Sequence, residues 1–293
     1  MKRFTTIFII LTASFFAAAS LAVPAVAQKA EPQPTPVAAP AQLPTDDEIR
    51  AIMADRVDVL HKHVGLVVGI LTPQGRRIIT YGKLNQDDPR PLTGDTVFEI
   101  GSVTKIFTAL LLADAVQRGE VSLNDPLAKF MPPSVKVPER NGKKITLVDL
   151  ATQTSSLPFM PPDFPLFDPA GYPKYTEQQI FQFLSTFELP HYIGTKWEYS
   201  NLGFGLLGKA LSRRAGMDFD SLMRARITGP LGMKSTSVIV TPDMKIRLAA
   251  GHDAKLSPAP EWNMPSLSGE GELRSSANDL LTFLGAFMGY SKS

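Results

Sequence analysis

The amino-acid sequence predicts a mixed α+β fold. Two β-rich runs separated by a turn lie near its start, helical periodicity fills most of the remaining chain, and 44% hydrophobic with 20% charged residues supports an ordinary globular core. A length of 293 residues suits one large domain or two modest ones.

The first element is N-terminal. Lys2 and Arg3 precede the apolar run FTTIFIILTASFFAAASLAV, which ends at Ala25-Val26-Ala27, a small-x-small pattern. Residues 1–27 are therefore expected to be a cleaved export signal, with a membrane anchor as the rival, and the product periplasmic or secreted. Residues 28–45, rich in Pro and Ala, are expected to be a solvated linker, and 46–293 the folded domain. Thr45 caps a first helix whose opening turn carries Asp46, Asp47 and Glu48, with Ile49, Ile52, Met53, Val57 and Leu60 at helical spacing. VGLVVGIL (64–71) and RRIITYG (76–82) flank Thr72-Pro73-Gln74-Gly75 and form a hairpin.

A short TVFEI segment leads into a helix from Ser102 to Arg118, closed by Gly119. Its apolar residues surround most of the circumference, so it is expected to be buried. Helices joined by Pro-rich loops occupy about 120–235, with Thr146 capping LVDLATQ; LPFMPPDFPLFDPAGYPK is too rich in Pro and aromatics for regular structure and should line a surface or cleft. TEQQIFQFLSTFEL, NLGFGLLGKALSRRAG and SSANDLLTFLGAFM each read as helical.

Composition removes several chemistries. Net charge is +2 with basic residues dispersed, which gives no footprint for nucleic acid. Absence of Cys excludes disulfides, thiolate catalysis and Cys-bound metals. His61-Lys62-His63 is the only paired His, and no third ligand comes after it at metal-site spacing, so neither metal nor other cofactor is expected. Ser-His-Asp chemistry on a G-x-S-x-G elbow has no matching motif.

The candidate chemistry begins in EIGSVTKIF (99–107), where Ser102 and Lys105 stand three apart on one helix face. A Ser opening a helix sits where backbone N–H groups and the dipole favour developing negative charge. A Lys at the buried end is readied as a base by desolvation. S-x-x-K alone is a cheap pattern, and a surface Ser near a surface Lys is its plain alternative; it occurs once here. Tyr199 and Asn201, in GTKWEYSNLGFGLLG, lie just ahead of a helix. A phenol can relay a proton to a leaving group and an amide can hold a substrate carbonyl, whereas the plain alternative is a core aromatic beside a cap.

Together the two motifs resemble the serine β-lactamase and penicillin-binding protein superfamily, most closely its class C-like branch, where Tyr-x-Asn stands in place of the class A Ser-Asp-Asn. The likeness extends over FEIGSVTKIFTALLLADAVQRGEVSLNDPLAKFMP, ITLVDLATQTSSLP, ITGPLGMKST and ELRSSANDLLTFL, from about residue 48 to 290 in the family's order. It implies a β-lactamase/transpeptidase-like fold, an antiparallel sheet flanked by helices plus a mostly helical region. It assigns Ser102 as acyl-accepting nucleophile, Lys105 as adjacent base or proton shuttle, and Tyr199 as the partner for the Ser102 and leaving-group protons. Asn201 would bind the substrate amide or assist Lys105, and the Ser102 N–H would be one oxyanion donor. Which of Lys105 and Tyr199 takes the first proton stays open, as the two can titrate as a coupled pair.

The implied function is hydrolysis of β-lactam amides or related cell-wall peptide bonds, with a D-alanyl-D-alanine carboxypeptidase or small-ester esterase as alternatives. The partner is a small molecule and a monomer is expected, with no stable membrane span after signal cleavage. Two departures stand out. The third motif, Lys-Thr-Gly or His-Thr-Gly, is absent, and Ile227-Thr228-Gly229 is a decoy ahead of Pro230. The expectation is therefore a domain truncated at its C-terminus, lacking the last strands and nearly inactive, or a penicillin-binding-like protein without catalysis. Phe159, Met160 and Pro161 stand where class C β-lactamases carry a Gln after "LP", which removes one substrate amide contact.

Overall fold

The computed structural model describes residues 43–290; the expected signal, 1–27, and most of the expected linker, 28–45, lie outside the described residues. Helix α1 (Asp46–Ala54) opens on a capping box, in which the Thr45 hydroxyl accepts from the Glu48 N–H and the Glu48 carboxylate accepts from the Thr45 N–H. Ile49 and Met53 bury one stripe, while Ile52 and Leu60 are exposed. Ile52 lies about 100° around the helix from Met53, and a π-turn over Asp55–Val59 shifts Leu60 off the stripe.

Strands β1 (Gly65–Thr72) and β2 (Gly75–Gly82) pair antiparallel with Thr72 opposite Gly75, leaving Pro73-Gln74 as a two-residue loop. Alternation sorts the two faces. Leu66, Val68 and Ile70 join Ile79 and Tyr81 against Ile49 and Met53 of α1. The other face, bare at Gly69, receives Leu281 of the last helix, whose Cγ would lie 3.1 Å from a Cβ at that position. The run VGLVVGIL is apolar on both faces because a helix covers each.

The chain continues through β3 (Val97–Glu99), a 3₁₀ turn (Gly101–Val103) and α2 (Thr104–Gln117), then β4 (Glu139–Arg140), β5 (Lys143–Lys144), α3 (Leu147–Ala151), α4 (Glu177–Thr186) and α5 (Asn201–Ala215). Helices α6 (Phe219–Met223) and α7 (Pro242–Arg247), a 3₁₀ stretch (Pro265–Glu270), β6 (Arg274–Ser276) and α8 (Ala277–Phe287) complete it. Among the described residues the strands form three antiparallel pairs, β1–β2, β3–β6 and β4–β5, rather than one continuous sheet. The main core gathers Phe107, Leu111, Leu150, Leu202, Leu206 and Leu267 where α2, α3 and α5 meet the 265–273 segment.

Three expectations change. Helix α2 is buried on Phe107, Leu111, Leu112 and Ala115, but Val103 and Ile106 are 41% and 51% exposed, on the side where Ser102 reaches solvent. The last helix starts later than its apolar pattern suggests, since Ser275 and Ser276 belong to β6 and Ser276 caps α8 by accepting from the Asp279 N–H. The Pro-rich stretch is irregular only up to Asp168, since Pro169–Lys174 form a 3₁₀ helix; Phe167 is exposed, but Met160, Phe164 and Tyr172 are buried, and the Tyr172 hydroxyl donates to the Leu166 carbonyl at 2.7 Å. Among the described residues no helix is long and apolar enough to cross a membrane.

Candidate active site

Backbone packing fixes where Ser102 and Lys105 stand. Gly101 takes φ 50° between β3 and the 3₁₀ turn, a left-handed conformation that needs Gly although open space surrounds it. Three hydrogen bonds then tie this corner to the 269–273 segment. The Ile100 N–H donates to Leu273 O at 3.0 Å, the Leu273 N–H to Thr104 Oγ1 at 3.1 Å, and Thr108 Oγ1 to Gly269 O at 2.7 Å. Thr104 and Thr108, one turn apart, form a buried polar stripe beside the buried Phe107, Leu111 and Leu112 of the same helix.

Helix α5 brings the same segment close from behind. A Cβ at Gly205 would lie 2.4 Å from Leu267 Cδ2, and one at Gly208 would lie 2.9 Å from the Gly269 Cα. Only side-chain-free positions let the 265–270 backbone lie this near the helix. That approach sets Glu270 beside Lys105.

Tyr199 and Asn201 are delivered by the start of α5. Asn201 is its first residue rather than part of the preceding loop, and Ser200 is the cap, accepting from the Gly203 N–H at 2.9 Å and donating to the Pro158 carbonyl at 2.6 Å. Gln153 braces the same turn. Its side-chain oxygen accepts from the Ser200 N–H at 2.8 Å and its carbonyl from the Glu198 N–H at 2.8 Å. Gln153 holds φ 61° while buried, a conformation costing about 1–3 kcal/mol for a side-chain-bearing residue.

The four residues singled out in the sequence converge. Ser102 Oγ lies 2.5 Å from the Tyr199 hydroxyl and 3.2 Å from Lys105 Nζ. Lys105, only 7% exposed, donates to Asn201 Oδ1 at 2.8 Å and to the Glu270 carbonyl at 2.6 Å, and its Nζ sits 4.9 Å from the Tyr199 ring centroid. Asn201 Oδ1 thus accepts from the Lys105 amine, the contact that one of its two expected roles requires. Among the described residues the Ser102 N–H has no backbone partner outside its own 3₁₀ turn. Phe159 and Trp197 flank Tyr199 with centroid distances of 6.1 Å and 6.4 Å, giving the entrance an aromatic wall. Ile227 and Thr228 lie buried in a π-turn, and the exposed His61, just past a helix end, has Nδ1 3.2 Å from the Val57 carbonyl, its one side-chain hydrogen bond among the described residues.

Glu270 escaped the sequence reading. It is 1% exposed, and its Oε2 lies 3.5 Å from Lys105 Nζ. Burial pushes its carboxyl above the usual carboxylate range, against the pull of the Lys105 charge. Glu272, two residues on, is pushed up by burial as well. The only trace in the sequence is a pair of acids around Gly271 directly before an apolar-to-β segment, and no spacing rule links them to a Lys far upstream.

Known proteins resemble the chain over most of its described length. A family model described as Beta-lactamase matches residues 46–291. The D-alanyl-D-alanine-carboxypeptidase/endopeptidase AmpH of Escherichia coli (strain K12) is 35% identical over 225 residues, covering 76% of this chain and 57% of that protein. The chain thus spans rather more than half the length of this curated relative. A beta-lactamase/D-alanine carboxypeptidase from Yersinia pestis, solved with citrate, superposes with TM-score 0.72 at 28% identity, over 83% of this chain and 68% of that one. A class C beta lactamase from Rhodobacter sphaeroides gives TM-score 0.70 at 30% identity, over 83% and 66%.

Proposed function

Because the chain belongs to the beta-lactamase family, we propose that it is a serine hydrolase that forms an acyl-enzyme on Ser102 and acts on β-lactam amides or related cell-wall peptide bonds. The observation that carries this reading is the convergence of Lys105 Nζ and the Tyr199 hydroxyl on a single Ser102 Oγ, at 3.2 Å and 2.5 Å. Both lie within reach for proton transfer.

These contacts support the following steps. As Ser102 Oγ bonds to the substrate carbonyl carbon, its proton leaves to the Lys105–Tyr199 pair. The Ser102 N–H stabilises the developing oxyanion. When the C–N bond breaks, the leaving nitrogen takes its proton from the Tyr199 hydroxyl, which is resupplied from Lys105. Asn201 keeps the amine in place throughout. Water then releases the acyl group from Ser102, with the same pair handling the protons in reverse.

A D-alanyl-D-alanine peptide as substrate is supported by the name of the 35% identical AmpH relative. Phe159, in the aromatic wall beside Tyr199, offers no amide contact, which favours peptides or small esters over efficient β-lactam turnover. For the compartment, the charged start, apolar run and Ala25-Val26-Ala27 support export with removal of residues 1–27, giving a periplasmic or secreted protein. N-terminal analysis of exported material should find Gln28; an intact Met1 in a membrane fraction overturns this.

The activity is tested with a fluorescent penicillin, mapping the label by mass spectrometry. Label on Ser102, lost in Ser102→Ala, is expected. Label elsewhere, or undiminished in that variant, overturns the assignment. Turnover of nitrocefin, a D-alanyl-D-alanine peptide and a nitrophenyl ester then ranks the substrates.

A further inference from the structure

Lys105 faces more acceptors than it has protons. Its Nζ lies near Asn201 Oδ1 at 2.8 Å, the Glu270 carbonyl at 2.6 Å, Ser102 Oγ at 3.2 Å and Glu270 Oε2 at 3.5 Å. An ammonium has three N–H groups, so Ser102 and the Glu270 carboxylate compete for the third. A neutral amine has two, which the two shortest contacts absorb, leaving its lone pair toward Ser102. The carboxylate therefore bears on whether Lys105 can accept the Ser102 proton.

Among the described residues Lys105 is the one hydrogen-bond partner of the Glu270 carboxylate. Glu270 is 1% exposed, Oε1 accepts no hydrogen bond, and the Trp262 indole N–H, equally buried, faces the same carboxylate without hydrogen-bond geometry. An unsatisfied buried carboxylate is costly, and a 3.5 Å contact between two buried side chains makes Lys105 its principal compensation. The remaining titratable neighbours are few. Tyr172 and Glu272 face Glu270 and Tyr199 faces Lys105, with Ser102 and Asn201 as the neutral polar groups beside the amine.

We propose that Glu270 is a positioning residue of this site, whose main-chain carbonyl seats the Lys105 amine and whose buried carboxylate governs the amine's readiness to take the Ser102 proton. This rests on the acyl-enzyme reading above. The carboxylate competes with Ser102 for the third Lys105 N–H. When Lys105 passes a proton across the 3.5 Å contact to that carboxylate, Glu270 becomes neutral and the neutral amine takes the Ser102 proton across 3.2 Å, so two protons move and charge balances within the Ser102–Lys105–Glu270 group.

The test uses the whole protein with Glu270→Gln, Glu270→Asp and Lys105→Met. In Glu270→Gln the acidic limb of the pH profile for Ser102 acylation should move to lower pH by about one unit, the size expected for loss of one close opposite charge. Glu270→Asp should restore the wild-type limb. Limbs that superimpose in wild type and Glu270→Gln, whatever the height of the plateau, overturn the proposal. A second measurement needs no activity. The infrared band of the protonated Glu270 carboxyl, identified by its loss in Glu270→Gln, should persist to higher pH in Lys105→Met than in wild type. An unchanged midpoint overturns the coupling. Failure of wild type to label at Ser102 would instead strike the acyl-enzyme reading, leaving the infrared titration to decide the pair.

Discussion

Ser102 Oγ and the Tyr199 hydroxyl lie 2.5 Å apart although 97 residues separate them in the chain. Neither residue is placed by its own side chain. Ser102 is set by the Gly101 turn and the bonds from Ile100, Thr104 and Thr108 to the 269–273 backbone, and Tyr199 by the Ser200 cap and Gln153. A contact held from both sides by backbone is preorganised, and its removal should appear in rate rather than in folding.

Tyr199→Phe and Lys105→Ala should each lower acylation of Ser102 by about 10²- to 10⁴-fold, the usual worth of a positioned acid or base. Tyr199→Phe keeps the ring stacked near Phe159 and should melt as wild type does. Near-normal turnover of a chromogenic β-lactam and a nitrophenyl ester in both variants would remove the proton-transfer roles.

Gln153→Ala should slow acylation without touching the substrate. The side chain accepts the Ser200 N–H at 2.8 Å, and its loss leaves that buried donor unpaired. An orphaned buried group costs about 1–3 kcal/mol, and Ala relieves none of the strain at φ 61°. Both a lower melting temperature and a lower acylation rate are expected. A variant that melts lower but acylates Ser102 at the wild-type rate would show that the brace does not set the position of Tyr199.

Much of this was legible in the sequence, for identifiable reasons. The hairpin announced itself by two β-rich runs around Thr72-Pro73-Gln74-Gly75, α1 and α3 by their Thr caps, and Ser102, Lys105, Tyr199 and Asn201 by motif. These signals are local, or rest on a resemblance that spans the domain. The brace at Gln153 and the acid at Glu270 carry no such signal, because each matters through a tertiary approach. Gly205 and Gly208 lie inside a segment that reads as helical, and only the packed 265–270 segment shows what their missing side chains admit. Exposure of Val103 and Ile106 was hidden in turn by the uniform hydropathy of α2, whose pattern does not say which face is covered.

Gly208→Ala tests that approach. Ala favours an isolated helix over Gly by about 1 kcal/mol, but its Cβ would stand 2.9 Å from the Gly269 Cα, and backbone has to yield. Overpacking of this kind costs about 1–3 kcal/mol, so the steric term wins. The variant should melt lower, and because displacement of Gly269 carries the Glu270 carbonyl away from Lys105, acylation should fall too. A variant at least as stable as wild type would mean that the segment moves freely.

Glu272→Gln gives a pH signature of its own. Burial pushes the Glu272 carboxyl up, although its oxygens accept from the Met264 N–H and the Ser268 hydroxyl. The native state thus holds a proton there more tightly than the unfolded chain, whose Glu titrates near about 4.3. Stability changes with pH as the protons bound in the unfolded state minus those bound in the native one, so this group makes stability fall as pH rises from the unfolded value to the raised native one. Gln carries no such term. It can still accept the Met264 N–H, and its NH₂ can donate to Ser268. Melting temperatures of both proteins measured from about pH 4 to about pH 7 should diverge in favour of the variant as pH rises, levelling once wild-type Glu272 is ionised. Glu99, Glu270 and Asp279 titrate in both proteins and largely cancel in the difference. A difference that is flat, or that shrinks with rising pH, would mean that Glu272 is compensated in the fold and contributes no acid-side stability.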